Sequence, residues 1–265
     1  MAEKKKSMGF DEIMRNLKAG NFSPIYILMG NEAYYIDKIA DYIAENALAP
    51  EERDFNQEIV FGADTTATQI VDMAKGYPMM APRRVIIVKE AQGLKNLEPI
   101  EKYLANPSAT SLIVLCHKNG TIDARKKIIA KAQAVGVVFE SKKLKDYQLP
   151  SFIEGYLKTR KAAIENKAVM MIAEAVGADL SRLTSELEKI LISLPDNDRR
   201  VTPEVVEDQI GVSKDFNSFE LRDAIVNRDV YKANLIIKYF DSNPKAGSLF
   251  SILPLLFNYF QNLML

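Results

Sequence analysis

Apolar positions along the first half of this 265-residue chain alternate between two spacings. In "FDEIMRNLKAG", Phe10, Ile13, Met14 and Leu17 recur at helical intervals and the pattern stops at Gly20. "SPIYILMG" is then a short apolar strand ending at Gly30, and "NEAYYIDKIADYIAENAL" repeats Tyr35, Ile39, Ile43 and Leu48 as an amphipathic helix. "FNQEIVFG" predicts a strand, and "TTATQIVDMAKGYP" a helix capped by Asp64 or Thr65. "RRVIIVKEA" and "TSLIVLCHK" are near-continuous apolar runs, the form of strands buried on both faces. "DARKKIIAKAQAVG" reads as a helix closed by Gly136, and "VVFESKKL" as a last strand. Such alternation predicts a parallel sheet wrapped by helices.

After Lys143 the strand signal disappears and helical spacing takes over. "DYQLPSFIEGYLKTR", "ENKAVMMIAEAVGADLSRLTSELEKILISL" and "TPEVVEDQIG" predict a unit of three or four helices. Gly177 serves as a stop, Asp179 as a new cap, and Pro203 occupies a first turn after Thr202. Within the long middle segment, Glu186, Glu188 and Lys189 belong to an ordinary amphipathic face and carry no assigned chemistry. A third segment begins near Ser213 and ends in "SLFSILPLLFNYFQNLML", apolar on so many sides that it needs neighbours. The expectation is a shortened chain, or a helix that packs against another chain.

Charge and composition then remove function classes. Basic and acidic side chains balance at 35 each, so no whole-molecule field draws the chain to nucleic acid or an acidic membrane. The start "MAEKKKSMGF" lacks the apolar core of a secretory signal, and no run reaches the ~18 to 20 apolar residues of a membrane span. With a single cysteine the expected compartment is the reducing cytoplasm. Cys116 and His117, each the only residue of its type, are neighbours on a strand and so point to opposite faces. That excludes a Cys-His nucleophile pair and a metal site built from the two; no metal ligand set and no cofactor is expected.

"YILMGNEAYYIDKI" has the placement of a phosphate-binding loop: strand, glycine, turn, helix. The motif needs G-x-x-x-x-G-K-[ST], with glycines exposing backbone N–H groups and a lysine meeting phosphate charge. Counted from Gly30, the second glycine, lysine and hydroxyl positions hold Tyr35, Ile36 and Asp37. Glu32 falls in the first turn of the helix, where its carboxylate occupies the place an anion would take. The loop Gly30, Asn31, Glu32 is therefore a degenerate, non-binding one. Where adjacent acids would hold magnesium, the chain has Lys89 and Glu90.

In "GYPMMAPRRVIIV", Met79 and Met80 lie between Pro78 and Pro82, which disfavour helix and ladder and put the methionines on a turn. Read alone, the pair is a core plug or an exposed docking element.

Four segments, "SPIYILMGNEAYYIDKI", "GYPMMAPRRVIIVKEAQGL", "FESKKLKDYQLPSFI" and "VGADLSRLTSELEKI", in that order, resemble the delta subunit of bacterial DNA polymerase III. That family is the clamp-loader subunit that opens the sliding clamp. The resemblance implies an α/β then all-α chain: an AAA+-like domain without a functional P-loop over 1–143, a helical lid over 144–211 and part of a helical collar over 212–265. It implies no catalysis by the chain itself, which would serve as a subunit of the polymerase holoenzyme. Its implied partners are the sliding clamp (beta subunit), the gamma/tau and delta prime subunits in a hetero-pentamer, and DNA within the complex, with no membrane. It assigns Met79 and Met80 to the apolar pair that enters a pocket on the clamp, with Tyr77, Pro78, Arg83 and Arg84 around them. Many relatives carry a leucine-phenylalanine or aromatic pair there, so methionine departs in type while keeping an apolar, adaptable side chain.

Two basic clusters are candidate DNA contacts: Arg125, Lys126, Lys127 with Lys131, and Lys142, Lys143 with Lys145. Against the clamp-opening subunit stand a divergent nucleotide hydrolase and a helical, AAA+-like nucleic-acid-binding scaffold.

Overall fold

A computed structural model describes residues 8–195, 198–211, 213, 215–243 and 249–264. The charged start at 1–7, read above as no signal, lies outside them, as does residue 212, where the collar was expected to begin. The chain divides into two compact units, Met1–Lys143 and Leu144–Leu265.

In the first unit β1 (Ile25–Gly30), β2 (Gln57–Phe61), β3 (Arg84–Lys89), β4 (Ser111–Lys118) and β5 (Val137–Ser141) form one sheet in the order β2-β3-β4-β1-β5. Every pairing is parallel. The unbroken apolar runs are explained by burial on both faces. Ile27, Ile86, Val88, Ile113 and Leu115 pack under α4 (Ala67–Lys75), α5 (Glu98–Tyr103) and α6 (Lys127–Val135). Their neighbours Tyr26, Leu28, Val85, Ile87, Leu112 and Val114 pack under α1 (Phe10–Lys18) and α2 (Ala33–Asn46). Each such Ile, Leu or Val contributes about 1.5 to 3 kcal/mol by burial. Edge strand β2 is the exception, with Ile59 and Phe61 exposed.

Local signals were displaced in places. The segment read as a strand from Phe55 begins instead as a helical turn, α3 (Arg53–Asn56), and becomes β2 at Gln57. The cap of α4 is Thr66, not Asp64 or Thr65. Its hydroxyl accepts from the Gln69 N–H at 3.3 Å, and the Gln69 carboxamide oxygen accepts from the Thr66 N–H at 2.9 Å. That reciprocal pair satisfies two donors at once, which neither predicted residue could do.

The second unit holds α7 (Leu149–Thr159), α8 (Asn166–Val176), α9 (Leu180–Ser193) and α10 (Pro203–Ile210), followed by α11 (Ser218–Val226), α12 (Val230–Ser242) and α13 (Leu249–Leu263). Gly177 ends α8 at φ 73°, and the Asp179 carboxylate caps α9 by accepting from the Arg182 N–H at 3.0 Å. The unit is not strand-free: β6 (Ala163–Ile164) and β7 (Arg200–Val201) pair in parallel, each too short to show a period. Leu221, Ala224, Ile236, Phe240 and Ile252 form the core of α11, α12 and α13. Leu253, Phe257 and Phe260 of α13 remain exposed.

One carboxyl here gives a testable pH effect. Burial holds Glu174 on α8 above its ordinary 4.5, partly offset by the proximity of Ser218 at the start of α11. A carboxyl raised in the folded state stabilises fully below its unfolded pKa and loses that contribution as pH rises through the folded value. Glu174→Gln is therefore expected to raise Tm at neutral pH and to leave it unchanged near pH 4. Thermal melts across that range check the sign.

Candidate functional site

The loop where a nucleotide would sit is closed by the chain's own backbone. Only Asn31 and Glu32 separate β1 from α2. The Asn31 N–H donates to the Ser141 carbonyl at 3.1 Å, and the Ser141 hydroxyl donates to the Glu32 carbonyl at 2.7 Å. Gly30, at φ 137°, forms an isolated antiparallel bridge with Gly120, and any Cβ there would collide with the Ser141 carbonyl oxygen. Glycine is required at this position by close approach of β5, not by a phosphate. Glu32 is the N-cap of α2 and not a first-turn residue; its buried carboxylate accepts from the Tyr34 N–H at 3.1 Å.

The three positions that a phosphate-binding loop would use have structural work. Tyr35 packs its ring on Phe10, with centroids 4.7 Å apart, and Ile36 is fully buried. Asp37 takes the Lys118 ammonium at 2.8 Å. Burial works against the Lys118 charge, yet the Asp37 bond and the nearby Glu90 hold its pKa above 10.5. Lys89 pairs with Asp41 at 3.4 Å. The strand ends that would face phosphate and magnesium thus meet ion pairs internal to the fold. Neither ATP nor ADP with magnesium at ~1 mM is expected to shift Tm, whereas a Kd of ~10 µM would stabilise by about 2.7 kcal/mol.

The methionine turn is built the opposite way, anchored by its backbone and open at its side chains. Met79 is 61% exposed, and Met80 and Tyr77 still more so at 102% and 88%. Buried Asn56, the last residue of α3, fixes the turn from 23 residues away. Its carboxamide oxygen accepts from the Met79 N–H at 2.6 Å, and its Nδ2 donates to the Met79 carbonyl and the Glu52 carbonyl, both at 2.9 Å. Met80 follows at φ 51°, a left-handed conformation that costs a non-glycine residue of order 1 kcal/mol or more.

The flanking arginines support this turn. Arg84 pairs with Glu58 of β2 at 2.7 Å and lies against Gly76, where a Cβ would meet its guanidinium. Arg83 stacks 4.6 Å from the centroid of the Phe22 ring. Pro78 is half-buried and Pro82 exposed. Asn56 and Glu58 escaped the sequence reading because each acts across more than 20 residues on a segment with its own local signals.

The two basic clusters differ in what they can still contact. Arg125 grips Asp123 through Nε and Nη2, at 3.0 and 2.6 Å, and Lys131 pairs with Glu101 at 3.3 Å. Lys126 and Lys127, exposed at the start of α6, carry no ion pair among the described residues. Lys142 lies 3.6 Å from Glu140 and, with Lys143, Asn31, Asn119 and Thr121, lines a polar cavity of about 400 Å³ at the ends of β1 and β5. Cys116 is buried, its thiol pushed up to about 12 by desolvation, while His117 Nδ1 lies 3.2 Å from the Gly120 carbonyl. Among the described residues no group of His, Cys, Asp and Glu could hold a metal ion, and no helix is long and apolar enough to cross a membrane.

Fold and site define a parallel α/β module of nucleotide-binding layout, its loop closed, followed by helical units. Residues 26–142 match the family model described as DNA polymerase III, delta subunit. The DNA polymerase III subunit delta of Bacillus subtilis is 27% identical over 231 residues, covering 83% of this chain and 66% of its own length. The chain thus spans just under two thirds of that curated relative. The solved structure of the Bacillus subtilis DNA clamp loader delta protein superposes with a TM-score of 0.66 at 24% identity, covering 96% of this chain and 77% of that one, and shows the shared fold. The match to the DNA polymerase III delta-subunit family model thus centres on residues 26–142, and the chain around them resembles that relative over most of its length.

Proposed function

We propose that the chain binds a sliding clamp through the Met79–Met80 turn and opens it for loading onto primed DNA, without hydrolysing nucleotide itself. The observation that carries this reading is the pairing of a buried backbone anchor with solvent-exposed apolar tips. An apolar residue that merely filled the core would show the reverse. Two buried methionine side chains supply about 3 to 6 kcal/mol before association costs, enough to anchor a transient contact. That amount favours capture: the turn binds an open or strained clamp conformation more tightly than the closed one and shifts its population.

In this reading residues 144–211 act as the lid and those from 212 as part of the collar that joins gamma/tau and delta prime subunits in a cytoplasmic hetero-pentamer. DNA contact falls to Lys126, Lys127, Lys142 and Lys143 in preference to Arg125, whose guanidinium is committed to Asp123. Purified sliding clamp titrated against the chain by calorimetry tests the central claim: saturable binding supports it, and no heat at micromolar protein removes it.

A further inference from the structure

The open edge of the sheet is suited to more than protecting a core. Strand β2 pairs only with β3, and among the described residues no strand covers its outer side. The Gly62 N–H bonds to the Lys89 carbonyl at 2.8 Å, so by alternation Glu58 and Val60 turn their backbone groups to β3. Gln57, Ile59 and Phe61 turn theirs outward. Two of those outward groups are already used, the Gln57 N–H by Arg53 and the Phe61 carbonyl by Asp64. What is left is the Gln57 carbonyl, both groups of Ile59 and the Phe61 N–H, the complement that one added strand would pair.

The side chains agree. Ile59 and Phe61 are 48% and 50% exposed, and the strand carries no lysine, proline or bulge to discourage pairing. Its one charge, Glu58, is drawn to Arg84. Beside the edge, Val60, Thr65, Gln69 and Met73 line a groove of about 620 Å³ whose rim bears exposed Asp64 and Asp72. The Gln57 side-chain oxygen is buried without a hydrogen-bond partner. The strand begins one residue after Asn56, which holds Met79, so edge and methionine turn share one anchor.

We infer that β2 receives an extended segment of the same protein partner that takes the methionine turn. This segment adds as a sixth strand and presents a basic side chain to Asp64 and Asp72. The inference rests on the clamp-binding reading for the partner's identity. Pairing supplies backbone hydrogen bonds, the acidic rim orients the segment, and the two contacts reinforce each other because both are rigid before binding.

The test uses the whole chain with purified sliding clamp. Amide exchange followed by NMR should slow at least ~10-fold at the Ile59 and Phe61 N–H on complex formation, with Val60 unchanged. Ile59→Pro removes an outward donor without touching the β3 ladder and should weaken binding about tenfold. Should that variant fold poorly, Asp72→Lys, on the exposed face of α4, should weaken it several-fold in a salt-dependent way. Unchanged exchange and affinity in these variants, with binding still lost in the double methionine variant, overturn the edge and leave the turn standing. Binding insensitive to the methionines but sensitive to the edge upholds the edge and overturns the turn.

Discussion

Replacing Met79 and Met80 together by alanine is expected to lower clamp affinity by at least about 100-fold, which corresponds to about 2.7 kcal/mol. The figure follows from the exposure of both side chains in the free chain. Nothing in the fold pays for their truncation, so the whole loss falls on the complex. Roughly half or more of the 3 to 6 kcal/mol that two methionines gain on burial should vanish. Thermal stability is expected to stay within about 0.5 kcal/mol of wild type, as for other exposed substitutions. This separation of effects distinguishes docking from packing. Calorimetry with clamp, alongside a melt of the free variant, reads both; equal affinity in wild type and variant would remove the turn from the interface.

The ease of reading the sheet and the difficulty of reading the site have different physical origins. Strands β1, β3 and β4 were legible because burial on both faces leaves almost no polar residue to break the run. Helix α5, six residues long, and the two-residue β6 and β7 were missed because a period cannot be seen in less than about two repeats. The cap of α4 was misplaced by one or two residues within "DTTATQ", where three adjacent residues can cap and only the Gln69 reach selects Thr66. The erosion of the phosphate loop was plain from residue types at Tyr35, Ile36 and Asp37, although its closure by Ser141 was not. The prolines placed the methionine pair on a turn, but their stiffness is only part of its rigidity.

The remainder is Asn56, and its replacement is the second large effect. Buried and making three hydrogen bonds, this side chain stitches α3 to the Met79 backbone. Asn56→Ala leaves the Met79 N–H and two carbonyls to find new partners, at about 1 to 3 kcal/mol for each group that stays buried and unpaired. Water can reach the turn, so a total loss of about 2 to 4 kcal/mol in stability is expected, read by urea unfolding. Clamp binding should weaken as well, by about tenfold, because the freed turn must now be ordered at the moment of docking. Asn56→Asp sharpens the test. It keeps an acceptor for the Met79 N–H, but at neutral pH points a carboxylate at the Glu52 and Met79 carbonyls, where Nδ2 donated before. That variant should be less stable than wild type at pH 7 and recover part of the difference as the introduced carboxyl is protonated at acid pH and regains one donor. Should both substitutions weaken the fold while clamp affinity stays at the wild-type value, the anchor would serve the strand alone, and the rigidity of the methionine turn would have another source.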